Sequence, residues 1–289
     1  MNLGRTKSVL FRAAALTGAA LFGLAAVPAA AQERDRDRDA DSEREERPRG
    51  RLITIGAGAQ VGPQFPGADG YTISPMPIVD VRRPGQRITY EAADEGWGFG
   101  LLGREASFNI GPAIQFQGKR REEDVGAAVG NVGFTVEAGA FVEAYLSDSF
   151  RIRAEGRRGI NGHEGWVGDL GFDVIARGGD TTVFGIGPRV RFADDKYMNA
   201  YFGVSPAAAV RTGLAAFSPD SGIYAAGGAA SVRHHFGSDG KWGVHGYARY
   251  DRLVREAADS PIVRSFGSRD QLSAGLGLSY TFRTGGARR

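Results

Sequence analysis

An antiparallel β-barrel spanning a membrane is the fold this sequence predicts, and three observations predict it. Gln271 to Phe282 alternates without a break: Leu272, Ala274, Leu276, Leu278, Tyr280 and Phe282 share one face, and Gln271, Ser273, Gly275, Gly277, Ser279 and Thr281 the other. Successive side chains of a strand point to opposite faces, so the first row suits hydrocarbon with an aromatic girdle at its end and the second suits a lumen. The amino-terminal residues read as an export signal, and beyond them no run of about 18 apolar residues remains to make a spanning helix. Within lipid every backbone N–H and C=O must then be paired around a ring of strands.

The elements follow in chain order. Arg5, Lys7 and Arg12 form a basic region, Val9 to Val27 a mostly apolar one, and Ala29-Ala30-Ala31 a small-residue site with cleavage expected after Ala31. Residues 1–31 are therefore expected to be a signal peptide; the alternative, an uncleaved anchor, fits a short Gly-containing segment less well. Glu33 to Arg49 carries both charge signs with almost no apolar residue and cannot bury enough surface to offset its ordering entropy. Residues 32–50 are expected to be a disordered periplasmic tail, with a docking arm as the functional alternative.

The barrel is expected over residues 51–282. Alternating segments run at Leu52–Val61, Tyr71–Arg82, Arg87–Ala92, Trp97–Leu102, Ser107–Gln117, Gly133–Leu146, Phe150–Ile160, Trp166–Arg177, Thr182–Phe192, Asn199–Val204, Ile223–Phe236, Trp242–Leu253 and Gln271–Phe282. Barrels of this class have even strand numbers, so this odd set predicts about twelve strands, with ten as the alternative, and Arg87–Ala92 and Asn199–Val204 as the weakest members. The short turns at Ser147-Asp148-Ser149 and Gly237-Ser238-Asp239-Gly240 suit periplasmic hairpins, and the long connections Ser205–Gly222 and Glu256–Arg269 suit extracellular loops. Counting back from the last strand puts the Ser147 turn on the wrong side, which itself signals a miscounted strand. A basic tail, residues 283–289, follows the last strand.

The alternation also assigns a lumen. Phe134, Val136, Ala138, Ala140, Val142, Ala144 and Leu146 form one row, opposed by Glu137 and Glu143; in the next segment Phe150, Ile152 and Ala154 oppose Arg151, Arg153, Glu155 and Arg157. An Arg facing lipid at midplane costs about 2–4 kcal/mol, against about 0.2–1 kcal/mol for a cross-strand ion pair, so the charged rows are placed inside. Arg189, Arg191, Arg249 and Asp251 join them by the same alternation. Two readings follow: filler for a small barrel, or the lining of an ion or solute channel.

Other chemistry is sparse. Gly is 44 of 289 residues, without a collagen period. Cysteine is absent, and a formal charge of +3 gives no reason to expect a nucleic-acid partner. Ser231 and His235 share a face, but residues four apart on a strand stand about 13 Å apart, beyond the reach of a nucleophile and its base. His234 and His235 point to opposite faces, and the acidic stretches Glu122-Glu123-Asp124 and Asp194-Asp195 lack calcium-loop spacing. Gly56-Ala57-Gly58 with Gly62 misses dinucleotide spacing. No catalytic residue, cofactor or metal is expected, and the chain reads as a non-enzyme.

The ordered set of Gly56–Arg82 (GAGAQVGPQFPGADGYTISPMPIVDVR), Gly162–Gly171 (GHEGWVGDLG), Tyr201–Ser205 (YFGVS) with Thr212–Leu214 (TGL), and Ala258–Phe282 (ADSPIV, then GSRDQLSAGLGLSYTF) resembles the MipA/OmpV family of outer-membrane proteins. The resemblance covers about Leu52 to Phe282. It implies a Gram-negative outer-membrane barrel embedded in outer-membrane lipid and delivered by the barrel-assembly machinery. It also implies, from one member, a scaffold joining a lytic transglycosylase to a murein synthase; other members are linked to osmotic or pH response, adhesion and antibiotic penetration. No catalytic motif transfers. The carboxy-terminal assembly signal of such barrels is matched by Gly277, Tyr280 and Phe282, whereas Gly275 takes its polar position and RTGGARR follows.

Overall fold

The computed structural model describes residues 50–237 and 239–285; the expected signal peptide with its Ala31 site, the charged tail from 32 to 49 and residues 286–289 lie outside the described residues. Ten long strands and one short one form a single antiparallel sheet. In chain order they are β1 (Arg51–Pro63), β2 (Tyr71–Arg82), β3 (Trp97–Gly98), β4 (Phe108–Gln117), β5 (Thr135–Ser147), β6 (Phe150–Ile160), β7 (Trp166–Gly178), β8 (Thr182–Ala193), β9 (Gly222–Phe236), β10 (Trp242–Leu253) and β11 (Asp270–Thr284). The sheet order is β2-β1-β11-β10-β9-β8-β7-β6-β5-β4-β3, so the first long strand pairs with the last, from Arg51↔Thr284 to Val61↔Ala274. The first two residues of the expected basic tail, Arg283 and Thr284, thus belong to the β1–β11 ladder.

The sheet curls into a near-barrel whose two edges, β2 and β3, face each other across a seam. Side chains bridge one end of it, where Arg104 pairs with Asp80 of β2. Among the described residues no helix is long and apolar enough to cross a membrane.

Polarity runs inside out. Leu276, halfway along β11, is 64% exposed, whereas Arg151 of β6 is 1% exposed. Exposed Ile55, Val79, Ile110, Val142, Ile152, Leu170, Phe184, Ile186 and Leu278 make the outer band. Aromatics gather towards its ends: Trp242 meets Tyr280 edge-on at 5.0 Å near the chain termini, and Phe116 stacks on Phe134 at 6.1 Å at the opposite end. At that opposite end Tyr250 and Arg252 both reach Asp270, which marks where the wall returns to water. Apolar rows outside and charge inside are what a lipid-facing wall requires.

Two of the expected strands are not strands. Asn199–Phe202 of the segment Asn199–Val204 falls in α2 (Asp195–Phe202), one of five short helices among the described residues with α1 (Glu122–Val125), α3 (Pro206–Thr212), α4 (Arg255–Asp259) and α5 (Pro261–Phe266). Asp194 caps α2 by accepting from the Tyr197 N–H at 3.0 Å, and Tyr197, Met198, Tyr201 and Phe202 make its buried face, a helical rather than an alternating period. Removing this segment from the strand count places the 148–149 and 237–240 turns at the same end as the chain termini. Arg87–Ala92 is extended but unpaired and lies inside the sheet, and of Trp97–Leu102 only Trp97 and Gly98 pair as a strand, with Ile114 and Ala113. The ten long strands and the two-residue β3 among the described residues thus lie between the expected count of about twelve and its alternative of ten.

The facing generates a direct expectation. Leu276→Arg should destabilise the folded barrel in phospholipid vesicles by about 2–4 kcal/mol, read from the urea midpoint, whereas Ser273→Arg on the inner face should shift it far less. Equal shifts at both positions would contradict the facing.

Candidate functional site

The inner faces of β5 to β8 carry a continuous set of ion pairs. Arg151 (β6) binds Asp173 (β7) at 2.7 Å and Glu143 (β5) at 3.4 Å. Arg153 pairs with Glu155 at 2.8 Å and with Glu143 at 3.4 Å, and its guanidinium lies 3.7 Å from the centre of the Phe141 ring. Arg157 reaches Glu137 at 2.9 Å and Asp169 at 2.8 Å, and also touches Glu155. On β8, Arg189 meets Asp173 at 2.7 Å, while Arg191 bridges Asp169 at 3.3 Å and Asp251 of β10 at 3.4 Å. Arg249 closes the row against Asp251. The nine charged positions singled out in the sequence all lie on the inner face and share partners.

Into this row a segment of chain is inserted. Residues 83–96 leave β2 at the terminus end, run up inside the sheet and turn out into β3. Ile88, Tyr90 and Ala92 pack with Ile175 and Val183 in a small apolar cluster, with Tyr145 against it. Tyr90 Oη donates to Asp173 at 3.2 Å, and the Arg151 guanidinium lies 4.7 Å from the centre of the Tyr90 ring. Gly185 of β8 makes room for the Tyr90 ring, because a Cβ there would meet the ring and force it to move. The acidic end of the segment completes the network: Asp94 takes Arg189 at 2.8 Å, Glu95 takes both Arg151 and Arg153, and Glu91 takes Arg233 at 3.2 Å.

The end of the sheet away from the termini is covered by a cap. Phe65, Ala68, Val125, Val132, Tyr197, Met198, Tyr201, Phe202, Val204, Ala208, Ala257, Ile262 and Val263 form one buried apolar cluster drawn from the β1–β2, β4–β5, β8–β9 and β10–β11 connections. Arg120 donates to the carbonyls of Tyr201 and Gly130, both at 3.0 Å, and Ser260 to that of Phe202 at 2.6 Å. Burial pushes the phenols of Tyr197 and Tyr201 up, reinforced by Tyr224 at the first and by the Glu137 carboxylate at the second, so both stay neutral.

Between cap and inserted segment a cavity of about 930 Å³ remains against β1, β2, β9, β10 and β11. Of the small inner residues of β1 and β11, Gly62 and Ser273 line it, whereas Gly275 and Gly277 are covered by Tyr247, Met76 and Ile78. Gln115 Oε1 and Asp251 Oδ1, on residues that line the cavity, have no hydrogen-bond partner among the described residues.

The remaining candidates assemble no catalytic group. Ser231 Oγ donates to Tyr90 Oη at 3.3 Å, whereas His235 Nδ1 sits 3.2 Å from the Gly240 carbonyl oxygen. His234 is on the outer face beside Thr182, His245 meets Ser279, and His163 accepts from the Gly165 N–H through Nδ1 and faces Glu137 with Nε2. No metal-holding cluster exists among the described residues. Glu122 and Asp195 bond backbone N–H groups within the cap. Gly277 is inward, and Tyr280 and Phe282 are outward. Sequence reasoning missed Tyr90, Asp94, Glu95, Asp169 and Asp173; the alternation of β7 would have yielded the last two, and the acidic run Glu91–Glu95 beside an arginine-rich lumen would have flagged the others.

The family model described as MltA-interacting protein MipA matches residues 55–282. No curated protein matches the chain. Solved structures with a similar fold include a bacterial polysaccharide outer membrane secretin (TM-score 0.38, 8% identity, 80% of this chain and 99% of that chain). An outer membrane channel from Pseudomonas putida F1 follows (0.36, 12%, 81% and 96%), and then the NanC porin (0.35, 10%, 80% and 100%). At such scores the likeness bears on neither substrate nor route.

Arg151 holds three carboxylates in a buried setting, so Arg151→Met should cost about 3–5 kcal/mol in urea unfolding from vesicles. Adding Asp173→Asn should recover part of that loss. No recovery would mean that the arginine acts through packing alone.

Proposed function

The chain belongs to the MipA family, and we propose that this non-enzymatic outer-membrane barrel is a narrow passage for small polar solutes, closed in this structure by the segment 83–96. The observation that carries this reading is how the segment is held. It makes no strand ladder inside the lumen and is fixed by side chains, chiefly Asp94 on Arg189 and Glu95 on Arg151 and Arg153. Wall strands exchange backbone hydrogen bonds along their whole length; a segment bound through a few side chains is the part of the lumen that can withdraw. The cavity beside it already has the volume of a small-molecule site. Arginines and carboxylates along the route would then set charge selectivity.

A second reading rests on the family description, which names a protein that interacts with MltA. On that reading the terminus-end turns and the two charged tails, residues 32–50 and 283–289, are contact surfaces for a lytic transglycosylase and a murein synthase. Signal cleavage after Ala31 would release the first tail into the periplasm. The two roles are compatible, because the passage uses the lumen and the scaffold its rim. A pull-down from envelope extract separates them: retention of neither enzyme removes the scaffold reading and leaves the passage untouched.

The passage is tested by single-channel recording in planar bilayers. Asp94→Asn with Glu95→Gln leaves three buried arginines short of partners, at a cost of about 3–5 kcal/mol for a broken buried pair. The double variant should show larger and more frequent openings than the parent chain. Equally silent traces from both would overturn the proposal.

A further inference from the structure

The seam between β2 and β3 is the one place where the wall of the sheet is unpaired among the described residues, and the sequence of β2 keeps it so. The β1–β2 ladder is continuous from Leu52↔Arg82 to Pro63↔Tyr71, and Pro75 and Pro77 lie within it opposite Ala59 and Ala57. A proline has no N–H to donate, so it fits a ladder only where its nitrogen faces away from the partner strand. Both nitrogens therefore face the seam. A strand approaching from β3 would find two of its donors missing, and zipping the seam shut is disfavoured.

The seam is not uniform along its length. Near the chain termini Arg104 bridges it to Asp80. Towards the cap, the cavity is lined both by Thr72 and Ser74–Val79 of β2 and by Trp97, Gly98 and Gln115–Gly118 on the other side, so it extends to this part of the seam. The outer rim is apolar: Ile73 is 77% exposed, Val79 65% and Trp97 57%, and Phe116 and Phe134 stack beside Trp97. An apolar path continues inward. Met76 and Ile78 lie so close to the glycines of β11 that a Cβ at Gly275 would meet Met76 Sδ, and one at Gly277 would meet Ile78 Cδ1. Deeper in, the charges oppose one another, with Arg191 and Arg249 on Asp251 and Asp94 on Arg189, so the cavity has no strong bias for either sign.

An apolar window facing the bilayer, an apolar path behind it and a charge-balanced polar chamber at its end match one class of molecule. The geometry points to a lateral portal through which a single-chain amphiphile with a zwitterionic or neutral head enters from the membrane, head in the cavity and chain in the seam. This deepens the passage reading, since it takes the cavity to be part of a route, and it names a substrate class and a side entrance. A cavity of about 930 Å³ holds a small amphiphile and excludes a protein or a polysaccharide chain.

The test uses the full chain in phosphatidylcholine nanodiscs with a diazirine-bearing single-chain phosphocholine as probe. Photo-adducts are mapped by mass spectrometry. Adducts on the outer residues Leu276 and Leu278 report probe in the bilayer and serve as the internal standard; adducts on inner residues Met76 and Ser273 report probe inside. The chain has no cysteine, so Ser74→Cys with Gln117→Cys can be joined across the seam by a cleavable bis-thiol linker. Linking should lower inner adducts about tenfold or more against the standard, equivalent to about 1.4 kcal/mol, and cleavage should restore them. Pro75→Val with Pro77→Val returns two N–H donors to the edge and should give the same loss without added thiols; if the thiols themselves lower labelling, this pair decides alone. Inner adducts that never form, or that survive both closures, overturn the portal. Conductance is recorded in parallel with Asp94→Asn and Glu95→Gln added to the linked protein: openings that persist after linking keep the passage reading whatever becomes of the portal, and silence of this variant before and after linking removes the passage alone.

Discussion

A wall that faces hydrocarbon leaves the chain no freedom over where its charges go. Every Arg on β6 or β8 that pointed outwards at mid-height would meet lipid, so the alternation of each strand turns its charged row inwards, and the rows then need one another. Arg151, at 1% exposure, is tenable because Asp173, Glu143 and Glu95 surround it. The ion-pair network follows from the lipid outside, and the remainder of the lumen is arranged around it.

That arrangement is lopsided. Strands β5 to β8 crowd their half with arginines and carboxylates, and the acidic end of segment 83–96 docks there on Arg151, Arg153 and Arg189. In the other half Met76, Ile78 and Tyr247 cover the glycines of β11, no arginine row among the described residues fills the remainder, and a cavity remains. The helical cap covers one end through a single apolar cluster, in the manner of a soluble core placed on top of a membrane wall. Filling, occlusion and vacancy thus come from the same alternation read on different strands.

Most of the wall was legible in the sequence. Tyr71–Arg82, Phe150–Ile160 and Trp242–Leu253 are strands with the bounds their alternation suggests, and the inward rows of β5, β6, β8 and β10 follow from the cost of lipid-facing charge. The failures share a cause: a period of two reports an extended chain with one buried face and is silent about what covers that face. Ile88, Tyr90 and Ala92 alternate as a strand would, yet their buried side meets the inside of the sheet. Asn199–Val204 departs for a different reason, since the Asp194 cap and the pairs Tyr197/Tyr201 and Met198/Phe202 carry a helical signal that outweighs its short alternation. The cavity and the seam were not legible at all, because both depend on which strands become neighbours once the sheet curls.

The measurement that bears most directly on this account is a scan of single cysteines through β11, residues 271 to 282, each carrying a fluorophore and reconstituted with brominated phospholipid. Even-numbered positions from Leu272 to Phe282 should be quenched and odd-numbered positions from Gln271 to Thr281 spared. A flat profile, or one in which the odd positions meet the lipid, would contradict a barrel with hydrocarbon outside and a charged, occupied lumen within.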